Sequence, residues 1–248
     1  FQAEDGIRDK RGGLVGSEMC IRDRLKRNAF IIAASGLYLA NAGAADVPTL
    51  LAEVEGRGAE RLGNDLRAAM AEVAGAAPGH RAEAYKTASF ILDAAEMREQ
   101  RAVASITDFV EGDRGMADAV TAAGERVGDE VDALRARLGG YYRSITGDGP
   151  PRTRLTAAEQ AAAETVPVNL DDVDEYLSNR PRLATGLTSL MTFSTWGHVD
   201  GVSSYLDIFK QVMAEAKVHG AWYYGSVELD QVTRTLEAGV EAGVLRLR

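Results

Sequence analysis

Cysteine, histidine, aromatic residues and long apolar runs are all scarce in this chain of 248 residues. A single cysteine, Cys20, excludes a disulfide framework and a thiolate zinc cluster. Only three histidines are present, His80, His198 and His219, and no two of them stand at the short spacing typical of paired metal ligands on a helix. No apolar run reaches the roughly 18 residues of a membrane-crossing helix, so no integral membrane segment is expected. Basic charge is also in deficit: 28 Lys and Arg face 37 Asp and Glu, for a net charge of −9. A general nucleic-acid binder needs a basic face to displace counterions, so nucleic acid is not expected as a partner. What remains is an ordinary globular composition, 46% hydrophobic and 26% charged, long enough to bury a core.

The chain divides by texture. In residues 1–24 the blocks FQAEDGIRD and GSEMCIRDR resemble translated sequencing-adapter DNA, as carried by assembled metagenomic genes, and this segment is set aside from fold reasoning. Cys20 goes with it. Residues 25–44 have the layout of a signal peptide: Lys26 and Arg27, an apolar stretch from Ala29 to Ala40, and small side chains at Ala42 and Ala44 that place cleavage before Ala45. The expectation is an exported protein, periplasmic or secreted. The alternative is a cytoplasmic protein in which Phe30, Ile31, Ile32, Leu37 and Leu39 open the domain as a buried helix.

Residues 45–143 read as a helical segment. Pro48 suits a helix start. Leu62, Leu66, Met70 and Val73 follow at helical spacing, and a third helix is expected from Arg81 to Val110. The fourth has the most regular period, with Met116, Val120, Ala123, Val127, Val131, Leu134 and Leu138 on one seam and Gly139 and Gly140 as its stop. The last two helices form an antiparallel hairpin, and residues 80–140 are a candidate surface for self-association or for docking a partner. Residues 144–154, with two Gly and two Pro, read as a linker.

Residues 155–248 read as a small α/β unit. A helix is capped by Thr156 with Glu159 three residues on, and an extended Val166-Pro167-Val168 follows. Asp171, Asp172, Asp174 and Glu175 then open a further helix, where carboxylates suit the macrodipole; calcium-loop spacing is absent. From Leu190 the pattern reads strand to Trp196, helix over Ser203–Val218, strand over Ala221–Tyr224, helix over Val227–Ala242 and strand over Val244–Arg248. The expected fold is therefore mixed and helix-rich: a helical hairpin or bundle followed by a β-α-β-α-β unit of the kind found in (β/α)-barrel-like folds. Polar residues at strand ends are the natural catalytic candidates in such a unit, which singles out His198 with Trp196 and Asp200 beside it. An imidazole there can exchange a proton near neutral pH, and Asp200 can orient it; a histidine hydrogen-bonded within a loop is the plainer alternative. His219, at a helix C-terminus, suits the macrodipole.

Ser194-Thr195-Trp196-Gly197-His198, a helix, and then Trp222-Tyr223-Tyr224-Gly225-Ser226-Val227-Glu228-Leu229 resemble the closing segment of polysaccharide deacetylases, over about residues 190–240. The resemblance implies an irregular (β/α) barrel and metal-assisted hydrolysis of sugar acetyl groups. It implies His198 as the general acid, Trp196 and Trp222 as walls of the acetyl pocket, an acetylated polysaccharide as partner and a divalent metal such as zinc as cofactor. The family's metal-binding Asp and His-x-x-x-His pair are missing, so no metal ligand is assigned. The expectation is a fragment or divergent relative without the family's activity. Two alternatives stand beside it. One is a non-enzymatic exported helical protein that binds a partner through its hairpin. The other is a winged-helix-like module at the C-terminus, disfavoured by four acidic against three basic residues in 225–248.

Overall fold

A computed structural model describes residues 15–170 and 185–248. Residues 1–14 of the adapter-like tail and the acidic helix start at residues 171–175 lie outside the described residues. Nine α-helices and one small sheet are present among the described residues. No single helix among them is long and apolar enough to cross a membrane.

Helix α1 (Val15–Asn41) stands off the rest, and every residue from Leu25 to Asn41 is exposed. It bends by 117° into α2 (Val47–Gly75) through a 3-10 turn at Ala44–Asp46. Pro48 sits in the first turn of α2, where its missing N–H costs nothing. Helix α3 (Arg81–Ala104) tightens into 3-10 geometry over Ser105–Phe109 instead of running on as an α-helix to Val110. Helix α4 (Arg114–Thr146) is capped by Asp113, whose carboxylate accepts the Met116 N–H at 3.1 Å. It passes through Gly139 and Gly140 and ends instead at Gly147, which takes the left-handed conformation at φ 79°. The reason is apolar packing beyond the glycines: Tyr142 is buried and meets Tyr85 edge-on at 5.1 Å. Burial there outweighs the modest helix cost of two glycines.

α2, α3 and α4 pack as a bundle, and the seam of α4 is spent inside it: Val120, Ala123, Val127, Val131, Leu134 and Leu138 are all buried within one chain. The apolar seam of the expected hairpin is thus covered by α2 and α3. α3 lies at the centre, touching α2, α4 and α7 (Tyr205–His219). Charged side chains close the α2–α3 contact. Arg61 holds Glu99 through two bonds of 2.8 and 2.6 Å, and Arg98 bridges Glu99 at 2.8 Å and Asp65 at 2.6 Å. The side chains of Asp65 and Glu99 are 1% and 2% exposed. Burial opposes ionisation of Glu99, but the two guanidiniums prevail and hold its pKa below the usual range. For Asp65 burial prevails over Arg98, and the pKa is raised.

The segment after α4 lies against the bundle rather than hanging as a free linker, with Pro150 beside Gly139. Helix α5 (Ala157–Glu164) starts with the expected capping box of Thr156 and Glu159, and Glu159 also accepts from Lys86 of α3 at 2.7 Å. Strand β1 (Pro167–Asn169) follows. Helices α6 (Ser189–Gly197), α7, the single turn α8 (Ala221–Tyr224) and α9 (Leu229–Glu241) lead to strand β2 (Leu245–Leu247). One core joins both halves, from Leu62 through Ile91, Leu138 and Ile208 to Leu236 and Leu245.

The β-α-β-α-β unit of a (β/α)-barrel-like fold is not formed, and this corrects the sequence expectation. Residues 190–196 are helical. Thr188 caps α6 by accepting the Met191 N–H, and Thr192 and Thr195 bond back to the carbonyls four residues earlier. Met191, Thr195 and Trp196 form its buried stripe, so helical packing overrides the strand preference of β-branched and aromatic residues. Residues 221–224 are likewise helical, with the Tyr223 and Tyr224 N–H groups both closing on the Gly220 carbonyl. Only the last expected strand persists. It pairs antiparallel with β1, Val168 facing Arg246, so no parallel crossover exists among the described residues. Among the described residues β1 is the strand that pairs with β2.

Replacing Glu99 with Gln should cost about 3 kcal/mol of stability, because two guanidiniums then face a buried neutral group. Urea unfolding measures it; a loss within the range of a surface pair, below about 1 kcal/mol, would show that water replaces the carboxylate without penalty.

Candidate functional site

Helix α6 read as a helix puts Leu190, Phe193, Ser194, Gly197 and His198 on one face, at steps of three and four. Helix α7 does the same with Gln211, Ala214, Glu215, Val218 and His219. The two faces and the α3 residues Ala94 and Arg98 enclose a cleft of about 500 Å³. Its walls are largely apolar, and its polar groups converge from three helices, the usual make-up of a small-molecule site.

His198 is the C-cap of α6, its N–H closing on the Ser194 carbonyl at 3.2 Å. One turn earlier, the Ser194 hydroxyl donates to Glu215 Oε2 at 2.5 Å. Among the described residues no side-chain hydrogen bond reaches the His198 imidazole. Burial lowers its pKa, aided by Arg101, against the opposing charges of Glu215 and Asp200. The imidazole is therefore neutral at neutral pH, a donor and acceptor rather than a stored proton. Serine bonds straight to the carboxylate, so the Ser–His–acid order of a nucleophilic triad is not present. The floor of the cleft reaches Arg98, whose guanidinium is already engaged with Asp65 and Glu99.

The other residues singled out in the sequence go elsewhere. Asp200 does not orient His198. Burial resists its ionisation, but the Ser203 and Val202 N–H groups at 2.6 and 2.9 Å and Arg101 at 2.8 Å lower its pKa. It caps the loop entering α7, and Arg101 also donates to Ser203 and Gln211. Trp196 turns the opposite way from His198, into the core against α9. A side chain at Gly239 would place its Cβ 2.5 Å from the indole, so only glycine admits this approach. Trp222 is 89% exposed on α8, its ring 5.6 Å from that of Tyr223. Trp196 and Trp222 thus share no pocket wall, and neither lines the cleft with His198. His80 closes the 3-10 turn before α3, far along the chain from any of these groups.

Ser194, Gln211, Glu215 and His219 are the additions the structure makes to His198. Their signal was the spacing shared by the two helix faces, visible only once residues 190–197 are read with a period of 3.6. Among the described residues no three His, Cys, Asp or Glu side chains come together as a set of metal ligands. Comparison with known proteins finds no matching family model, no matching curated protein and no matching solved structure.

His198 should titrate below 6.5, its ordinary value, when its ring protons are followed by NMR. With the folded pKa below the unfolded one, the unfolded chain binds more protons in that window. Stability is then full above pH 6.5 and lost as pH falls through the folded pKa. His198→Asn should flatten this part of the pH–stability curve; a titration at or above the ordinary value would contradict the burial argument.

Proposed function

We propose that the chain is an exported helical protein that binds, without hydrolysing, an acetylated sugar unit in the cleft between α3, α6 and α7. The observation that carries this reading is the convergence of His198, Glu215, Ser194 and Gln211 over apolar walls in one cleft. Neutral imidazole, carboxylate, hydroxyl and carboxamide supply both donors and acceptors, the mixture that hydroxyl and acetamido groups require. Leu190, Ala94 and Val218 offer apolar contact to a sugar's C–H face and to the acetyl methyl. The resemblance of residues 190–240 to polysaccharide deacetylases supplies the substrate class. A histidine held neutral by burial is a poor general acid at neutral pH, which favours binding over hydrolysis.

Calorimetric titration with N-acetylated chito-oligosaccharides should give saturable binding, and His198→Ala or Glu215→Ala should each weaken it about tenfold, the equivalent of about 1.4 kcal/mol. Binding that never saturates, or that both variants leave unchanged, would refute the site. Acetate release abolished by His198→Ala would refute the non-hydrolytic part.

Export rests on a separate observation. Phe30, Ile32 and Leu37 of α1 are each more than two-thirds exposed, behind Lys26 and Arg27, and no residue from 25 to 41 is buried. An apolar helix left in solvent costs stability unless a translocation machinery or another surface takes it up. The cleavage point before Ala45 falls in the 3-10 turn at the bend, so removal of α1 leaves the bundle core untouched. Expression of the tagged chain in a bacterial host should yield a periplasmic species beginning at Ala45; an intact, purely cytoplasmic protein would overturn export.

A further inference from the structure

A second groove, independent of the His198 cleft, runs between α5 and α9 and has a volume of about 930 Å³. Its floor is apolar, from Ala158, Ala161 and Ala162 of α5 with Val240 and Leu247 opposite. Its rim is acidic. Thr233, Glu237 and Glu241 follow one stripe of α9 at steps of four, and Glu228 lies just before the helix. Asp230 has a counter-ion in Arg234, but among the described residues Glu228, Glu237 and Glu241 have none, and no Lys, Arg or His lines the groove.

The second observation is Tyr205, which lines the same groove from the start of α7. It is 3% exposed, and its hydroxyl is buried with no hydrogen-bond partner. A buried hydroxyl left unsatisfied is uncommon in a folded protein and marks a place where a partner is missing. Burial first and the charge of Glu237 second push its pKa up to about 12, so it remains a neutral hydroxyl able to accept as well as donate.

We propose that this groove is a binding site for a small organic amine, a primary ammonium on an apolar stem. The ammonium has three donors, and Glu237 and the Tyr205 hydroxyl are acceptors available to it. The stem then covers the alanine floor and Val240, removing apolar surface from water. An anion is disfavoured by the three carboxylates without a counter-ion, and a neutral alcohol of the same length leaves those charges uncompensated.

The full chain is titrated by NMR with n-hexylammonium, hexan-1-ol and hexanoate at equal concentrations. Hexylammonium is expected to saturate and to bind at least tenfold more tightly than hexanol, with no binding of hexanoate. Glu237→Gln should weaken it at least fivefold, and Tyr205→Phe, which keeps the ring in the core, about threefold. His198→Ala should leave it unchanged, which separates this site from the sugar-binding reading. Equal binding of hexanol and hexylammonium, absence of saturation, or both groove variants binding as the parent does would overturn the proposal. Tighter binding of a blocked tripeptide centred on lysine would also overturn it, by assigning the groove to a peptide rather than to a free amine.

Discussion

Two carboxylates almost without water, Asp65 on α2 and Glu99 on α3, lie between Arg61 and Arg98, and the rest of the molecule is arranged around that contact. Taking such charges out of water costs several kcal/mol each, so helices α2 and α3 can meet only in the register that gives both carboxylates their guanidiniums. An apolar seam tolerates sliding; a bidentate arginine–carboxylate pair does not. Once α3 is set against α2, its other faces are committed to α4 on one side and α7 on the other. Arg98 links this contact directly to the cleft, because the same side chain that pairs with Asp65 and Glu99 borders the space beside His198.

Further ion pairs carry the arrangement outward. Lys86 of α3 holds Glu159 of α5, and Lys210 of α7 meets Asp93 of α3, which Arg135 of α4 shares with Glu96. Arg101 reaches from the last turn of α3 to Asp200 and Ser203, fixing the loop between α6 and α7. These contacts join residues 39 to 117 positions apart, and those of Lys210 and Arg101 tie α7 and the loop before it to α3. The cleft lies where α3, α6 and α7 meet. Ser194 and His198 lie on one helix, Glu215 and His219 on the next, and neither pair makes a site alone.

Much of the N-terminal bundle was legible in the sequence. The seam from Val120 to Leu138 has an unbroken helical period, and Thr156 and Pro48 mark helix starts by local chemistry that needs no distant partner. Local preference and tertiary burial disagree at two places. Gly139 and Gly140 carry the local signal of a stop, yet Tyr142 beyond them is drawn into the core and the helix continues. Residues 190–196 are rich in β-formers, yet a threonine cap and the burial of Met191 and Trp196 on one stripe make them helical. As a helix this segment sends Trp196 into the core and places Ser194 on the cleft face opposite Glu215. His198 was legible as a polar group at an element's end, which it is, although the element is a helix.

By itself, then, the sequence determined a helix-rich chain, the period of α4, the capped start of α5, the helices that became α7 and α9, and His198 as a polar group at the end of an element. Those properties depend on neighbours within a few positions along the chain. Tertiary structure alone decided that the α4 seam closes within one chain, that the final strand pairs antiparallel with β1, and that Asp200 serves Arg101 rather than His198. It also left the Tyr205 hydroxyl buried without a partner beneath an acidic groove. Each of these rests on charge pairing or burial between segments far apart in sequence, and no local pattern encodes which distant group arrives.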